Sequence, residues 1–557
     1  MNTILTLLSR DRLKACYDSG FWREDTIYRI AGKYAEATPE ASAVRDQRGR
    51  LTYRQLLDVS DRFAADLHRR GVRRGQRVAV WLPSRIETAI ALLACSRNGY
   101  VCCPSLHRDH TVDDVVGLLR GMGAAALIMQ DGYGADADRR EIGPRLDEIC
   151  SLRHVYRLAP PKPGEISRPF DTLLDASADA VADPKPVSDP DSVVYLAYTS
   201  GTGGAPKGVM HSDNTVLANA RAIADDWNFG SNSVIYSLSP LSHNLGFGSL
   251  IVALAVGGQL VAHDLPRGAS LVDRLRKIMA TFLVGVPTHA IDLLTELRDH
   301  GENPLDNLEG FRISGASAPT ALIEGLMGYG IMPQSGYGMT EACSHHYTLP
   351  DDDPKRIAET SGRVCPGYEV RIWSRDNRDV EVPIGEIGEI GGRGASLMLG
   401  YFDDQRATEN AFNAHGWFMT GDLGWVDADG YIRVTGRKKD VIIRGGHNIF
   451  PAHIEALAMR HDAIERAAAV PVPDARLGEK VCLAVTLRHG EDLPPAAILD
   501  HLDDAGLSKY DMPEYILPLE QIPLTASGKI LKRELITWIE QGQVVPTPVR
   551  WRQRARQ

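Results

Sequence analysis

Over residues 51–103 the chain switches repeatedly between two hydrophobic periods, and this switching restricts the fold more than any other feature. After Leu51-Thr52-Tyr53, the apolar residues Leu56, Leu57, Val59, Phe63 and Leu67 recur at near-helical spacing. That predicts a helix with one buried face. Arg77-Val78-Ala79-Val80-Trp81-Leu82 is instead a short apolar run, as expected of a strand covered on both faces. A second helical stretch over 86–97 and another short run, Tyr100-Val101-Cys102-Cys103, follow. Strands alternating with helices imply a largely parallel sheet with helices against it.

At 557 residues the chain is too long for a single core. The expected fold is α/β: a large N-terminal domain of α/β subdomains with mainly parallel sheets, residues 1–438, and a small α+β C-terminal domain on a hinge, residues 439–557. The hinge is placed at the charged segment GRKKD, at Lys439. Beyond it the patterning predicts a helix over 454–459, strands over 467–470 and 480–487, and a helix over 495–503. Residues 160–191, rich in Pro, Asp, Ala and Ser, read as a loop between subdomains.

The net charge of −10 argues against a general nucleic-acid binder. Arg550, Arg552, Arg554 and Arg556 read as a short solvated tail. The eight cysteines are scattered without a CxxC pair, which predicts reduced, mostly buried thiols and a cytoplasmic protein. The apolar patch 4–8 is too short for a signal-peptide core. The longest uncharged region, around 250–256, is broken by Gly246, Gly248, Gly257 and Gly258. A span needs about 20 apolar residues, so a buried strand or helix beside a pocket is expected there.

Following the apolar run Val193 to Tyr198, the chain reads TSGTGGAPKG from Thr199 to Gly208. A loop of this composition can turn several backbone N–H groups toward one anion. Its hydroxyls add donors and Lys207 adds a mobile charge. It is neither a P-loop, since Pro206 precedes and Gly208 follows the lysine, nor a GxGxxG turn. Further on, SGYGMTEA supplies Tyr337, an aromatic able to stack on a purine, Thr340, a phosphate-contacting hydroxyl, and Glu341, a carboxylate suited to Mg²⁺. TGDLG supplies Asp422, GRKKD supplies Arg437, and PLTASGKILKR supplies Lys529. Taken singly, each reads as a turn, core or surface residue. Taken together and in this order, they point to one nucleotide site.

In these motifs the chain resembles the adenylate-forming acyl-CoA synthetases, from about residue 51 to residue 535, and most of all ligases for cyclohexanecarboxylate and other medium-chain or cyclic acids. The resemblance implies two steps: attack of a carboxylate on the α-phosphorus of ATP, giving an acyl-adenylate and pyrophosphate, then transfer to the thiol of coenzyme A with release of AMP. By position it assigns Thr199, Ser200, Gly201, Thr202, Gly203 and Lys207 to the β- and γ-phosphates. Gly315, Ala316 and Ser317 fall near the adenine and acyl group, with Tyr337, Gly338 and Met339 beside the adenine. Thr340 matches the α-phosphate contact, and Asp422 and Arg437 the ribose ligands. Thr202 and Glu341 would hold Mg²⁺. Lys529 would bridge the acyl carboxylate and the α-phosphate; acetylation of Lys529 by a lysine acetyltransferase would delete that charge. The family's rotating C-terminal domain implies that Arg444, Gly445, Gly446 and His447 line a coenzyme A tunnel in the second pose. Two departures stand out: Gly203 replaces a threonine, and His447 a common glutamate.

PLSHNLGFG matches the segment bordering the acid. The expected pocket residues are His243, Asn244, Phe247, Gly248, Val284, Ala316, Met339 and Cys343, with Gly285 and Pro287 nearby; plain core packing is the alternative for each. His243 holds a gating position. With no arginine or lysine evident in this set, the expected substrate is a hydrophobic monocarboxylic acid, cyclic, medium-chain or aryl. The expected partners are that acid, ATP and coenzyme A, in a homodimer. The competing readings are an acyl-AMP ligase that loads a carrier-protein phosphopantetheine and a nucleotide-binding protein without turnover.

Overall fold

The computed structural model describes residues 7, 9–137, 139–160, 170, 184–199, 206–266, 268–300, 305–315, 318, 320–488, 491–525 and 530–551. The helix predicted after Leu51 is Tyr53–Arg69. It starts because Thr52 caps it: the hydroxyl accepts from the Gln55 backbone N–H, and the Gln55 side chain accepts from Thr52 N–H. Val59, Phe63 and Leu67 are buried along its inner face. Arg77–Trp81 and Val101–Cys103 are adjacent parallel strands. The helix Ile86–Asn98 is buried at every residue, because it lies between strands of two sheets.

Among the described residues there are four sheets. A six-stranded sheet runs in the order His154–Leu158, Ala124–Gln130, Arg77–Trp81, Val101–Cys103, Val193–Thr199, Lys207–Ser212. Its strands pair in parallel except at the last hairpin. A nine-stranded sheet has a parallel centre formed by Val234–Ser237, Phe282–Gly285, Gly310–Ser314 and Met332–Met339. Register there places Ser237, Val284, Arg312 and Gln334 in one cross-strand row. The uncharged region around 250–256 is a helix, Asn244–Val256. Its start lies so close to the preceding turn that a Cβ on Gly246 would fall 2.3 Å from the Pro240 carbonyl oxygen. Only glycine allows that approach.

A four-stranded antiparallel sheet, Tyr368–Trp373, Gly388–Gly394, Phe418–Val426 and Ile432–Arg437, comes next. The one-turn helix Lys438–Asp440 then leads into a separate small α+β domain. This domain is built on the long antiparallel pair Ile464–Asp474 and Gly478–Leu487, with helices Pro451–Ala458 and Pro495–Asp504. Its core, including Ile442, Ile454, Leu483, Ile498 and Ile516, contains no residue from the larger body. The eight cysteines are free; Cys150 is exposed, Cys16 half-buried and the rest buried. No helix among the described residues is long and apolar enough to cross a membrane. Most of the expected loop at 160–191 lies outside the described residues.

Candidate active site

Strands Val193–Thr199 and Lys207–Ser212 form an antiparallel hairpin that pairs Thr199 with Lys207. Ser200, Gly201, Thr202 and Gly203 lie outside the described residues. Lys207 Nζ stands 4.8 Å from the centre of the Tyr401 ring, a cation–π contact. The Tyr401 hydroxyl donates to Glu341 Oε1 at 3.0 Å. Tyr401 reaches this position because residues 399–402 run beside the second strand of the hairpin: Leu399 N–H donates to the Met210 carbonyl and Phe402 N–H to that of Gly208. The sequence reading missed Tyr401, since nothing local marks GYFDD as part of a site.

Glu341 is buried, and burial pushes its carboxyl pKa up. The nearby Asp422 charge adds to this; the Tyr401 hydroxyl and Arg437 oppose it. A carboxylate held dry beside few positive groups gains from a cation, so Glu341 fits an Mg²⁺ role. Its proposed partner Thr202 is outside the described residues. Thr340, next in the chain, is fixed through its carbonyl, which accepts from His211 Nε2 at 2.7 Å. Burial lowers the His211 pKa to about 4, so the ring is neutral near neutral pH.

Tyr337, Asp422 and Arg437 come from three strands and meet. The Tyr337 hydroxyl donates to Asp422 Oδ2 at 2.7 Å, and Arg437 Nε lies 3.3 Å from Oδ1. Asp422 and Arg437 are direct cross-strand partners. Tyr337 packs edge-on against His345, with ring centres 4.9 Å apart. Gly338 and Met339 end the same strand, and Met339 pairs with Cys343 across a hairpin. Cys343 has φ +56°, a left-handed conformation unusual outside glycine. Gly315 follows the strand Gly310–Ser314, while Ala316 and Ser317 are outside the described residues.

A narrow, mainly apolar cavity lies between the helices Asp213–Asp226 and Asn244–Val256 and the nine-stranded sheet. Asn244, Gly248, Val284 and Cys343 line it as expected. Phe247 does not: it is fully buried and stacked on Tyr195, ring centres 4.3 Å apart. His243 stands at the N-cap position of the helix, without a side-chain capping hydrogen bond, and stacks on His107 with ring centres 4.0 Å apart; neither it nor Met339 lines the cavity. Gly285 and Pro287 also lie outside the lining. The expectation of a pocket without a cation needs correction. Arg312 and Gln334 line this cavity, and Arg312 is only 4% exposed.

In the C-terminal domain, Arg444 and His447 pair across a two-residue turn made by Gly445 (φ +58°) and Gly446 (φ +89°). Two successive left-handed residues are what a tight hairpin needs. A Cβ on Gly446 would meet open space, so the turn, rather than crowding, accounts for glycine there. His447 Nε2 donates to Asp511 Oδ1 at 2.7 Å, and Arg444 Nε lies 2.6 Å from Glu514. Burial, then Arg437 and Arg533, lower the Lys439 pKa, against the pull of Asp440 and Asp422. Lys439 therefore sits among the charges of the Asp422–Arg437 cluster. Lys529 lies outside the described residues.

With this geometry in view, comparison with known proteins is direct. The family AMP-binding enzyme matches residues 32–402, and AMP-binding enzyme C-terminal domain matches 453–529. Medium-chain fatty-acid–CoA ligase of Escherichia coli (strain K12) is 29% identical over 95% of this chain and 94% of its own length. The 3-[(3aS,4S,7aS)-7a-methyl-1,5-dioxo-octahydro-1H-inden-4-yl]propanoyl:CoA ligase of Rhodococcus jostii (strain RHA1) is 32% identical over 91% and 97%. The crystal structure of ATP-bound MatB from Rhodopseudomonas palustris superposes with a TM-score of 0.80 at 26% identity, covering 93% of this chain and 99% of that one.

Proposed function

The chain belongs to the AMP-binding enzymes, and from that premise we propose that it is an ATP-dependent acid–CoA ligase for a carboxylic acid with a hydrophobic body, cyclic, medium-chain or aryl. The observation that carries the reading is convergence. Lys207 stands over the Tyr401 ring, and the Tyr401 hydroxyl donates to the buried Glu341. The Glu341 carboxyl feels the charges of Asp422 and Arg437, and Tyr337 donates to Asp422, while a mainly apolar cavity is lined by Cys343, two residues from Glu341.

Joining a carboxylate to the α-phosphorus of ATP requires two anions to approach. A site accelerates this by neutralising charge and holding the reactants in line. In the proposed arrangement, Lys207 and the backbone of the loop from Thr199 face the β- and γ-phosphates. Asp422 and Arg437 hold the ribose, Tyr337 meets the adenine, and Thr340 contacts the α-phosphate. Glu341 and Thr202 would hold Mg²⁺, which when bound offsets phosphate charge. Lys529 supplies a compact positive charge to both reacting groups. The domain boundary falls at 438/439. Rotation about Lys439 then brings the turn at Gly445 and Gly446, with Arg444 and His447, toward coenzyme A in the second step.

The test is acid-dependent exchange of labelled pyrophosphate into ATP over a broad acid panel, followed by mass detection of the thioester with coenzyme A or with a phosphopantetheine-bearing carrier protein. Exchange followed by acyl-CoA formation is expected. Exchange with transfer only to the carrier would replace coenzyme A as acceptor, and no exchange with any acid would refute the ligase reading.

A further inference from the structure

Arg312 is an unusual residue to find at the base of a mainly apolar cavity. It stands on the strand Gly310–Ser314 in register with Val284 and Gln334, facing the helices that cover the sheet. Its Nη1 donates to Gln334 Oε1 at 2.8 Å, and its Cζ lies 5.6 Å from the centre of the Tyr347 ring. Its Nε and Nη2 find no hydrogen-bond partner among the described residues, nor does Nε2 of the fully buried Gln334. The electrostatic neighbours of Arg312 are the Tyr347 phenol and the Cys365 thiol, not a carboxylate. The nearby Asp226 is engaged with the Tyr347 hydroxyl at 2.7 Å. Burial lowers the Arg312 pKa to about 10, which leaves the group charged at neutral pH.

A guanidinium taken out of water is costly unless an anion or other acceptors meet it. Here the fold supplies one amide oxygen and one aromatic face. The remaining donors of Arg312 and Gln334 belong to side chains that line the cavity. The expectation of a purely hydrophobic acid does not account for them, because these donors are buried without an acceptor and an apolar ligand would bring none.

We propose that the acid activated by this enzyme carries a hydrogen-bond-accepting oxygen at the end remote from its reacting carboxylate, and that Arg312, supported by Gln334, selects it. The inference rests on the ligase reading above. The shared chemistry is an acceptor oxygen, supplied by a second carboxylate or by a ketone; the uncompensated charge of Arg312 favours the carboxylate. Arg312 is then a specificity-determining residue that leaves ATP handling alone.

Two matched series test this. One comprises cyclohexanecarboxylate, 4-oxocyclohexanecarboxylate and trans-cyclohexane-1,4-dicarboxylate; the other comprises octanoate, 7-oxooctanoate and octanedioate. Pyrophosphate exchange is measured with each acid, for wild type and for Arg312→Met. In at least one series the oxygen-bearing acid should exceed its plain parent by about 10- to 100-fold in kcat/KM. The keto and diacid members tell the two sources apart. In Arg312→Met the advantage should fall to about threefold or less while the KM for ATP stays put. Its melting temperature should match or exceed wild type, since an unneutralised buried charge has been removed. Plain parents equal to or better than their oxygenated partners in both series would overturn the inference on wild-type enzyme alone. So would an unchanged ratio in Arg312→Met. Turnover with the plain acids in those cases would leave the ligase reading standing, whereas turnover with no acid would overturn both.

Discussion

Tyr337→Phe removes one oxygen atom and tests how the nucleotide site is organised. The ring keeps its edge-on packing against His345 and so its capacity to meet a purine. What is lost is the 2.7 Å hydrogen bond to Asp422 Oδ2. An O–H donated to an ionised carboxylate is worth about 1.5–3 kcal/mol, and the Asp422 side chain is only 9% exposed, so solvent screens little of it. The Arg437 side chain is 47% exposed, so its 3.3 Å pairing with Asp422 holds the carboxylate more weakly. Because Arg437 remains, the lower end applies: about 1.5 kcal/mol, or roughly tenfold in kcat/KM for ATP. Pyrophosphate exchange with one saturating acid and varied ATP measures it. If Tyr337 acts through Asp422, the double variant Tyr337→Phe/Asp422→Asn should cost no more than Asp422→Asn alone, a coupling of about 1–2 kcal/mol. Additive losses, or a Tyr337→Phe effect under about twofold, would refute the positioning argument.

Three further outcomes are expected. Asp213 is buried, with Oδ1 accepting from Ile27 N–H at 2.7 Å and from Ser96 Oγ at 2.9 Å, and burial raises its pKa to about 7. The folded chain therefore keeps a proton that the unfolded chain releases near pH 4, so this contribution is fully present below about pH 4 and is lost as pH rises toward 7. Asp213→Asn retains the accepting oxygen, so urea melts should show it gaining on wild type by about 1 kcal/mol or more between pH 4.5 and pH 8; an equal gap at both would refute the assignment. Gly246→Ala should cost about 1–3 kcal/mol of stability by thermal melting, because its Cβ would meet backbone oxygens of Ser239 and Pro240 at 2.5 and 2.3 Å. An unchanged melting temperature would show that the turn yields freely. Lys529→Ala should abolish pyrophosphate exchange while leaving thioester formation from supplied acyl-adenylate largely intact; equal loss of both half-reactions would rule out alternation about Lys439.

How far the sequence speaks depends on whether a contact is local. The helix after Leu51 and the strand Arg77–Trp81 were legible because period and capping are written within a dozen residues. Tyr401 was not: its role exists only because residues 399–402 run beside a strand some 190 positions earlier. Phe247 misled for a related reason. It belongs to the right segment, yet helical rotation turns it toward Tyr195 and away from the cavity that Asn244 and Gly248 line.

Arg312 shows most clearly why a strand pattern can conceal a functional residue. In Gly310–Ser314, Phe311 and Ile313 alternate with Arg312, and such alternation normally marks a strand with one face in water. In a parallel sheet with helices on both sides there is no wet face. The alternation then has to be read differently: a polar residue on such a strand points into packed protein or into a cavity, and its donors require acceptors from one or the other. Here the protein supplies an acceptor for Nη1, from Gln334, and none among the described residues for Nε and Nη2. Had the topology been inferred first from the alternation of strands and helices, this arginine would already have been marked as buried and in need of acceptors from packed protein or from a cavity. The fold-level reading and the residue-level reading therefore have to be made together, because the first sets which side of each strand faces the ligand.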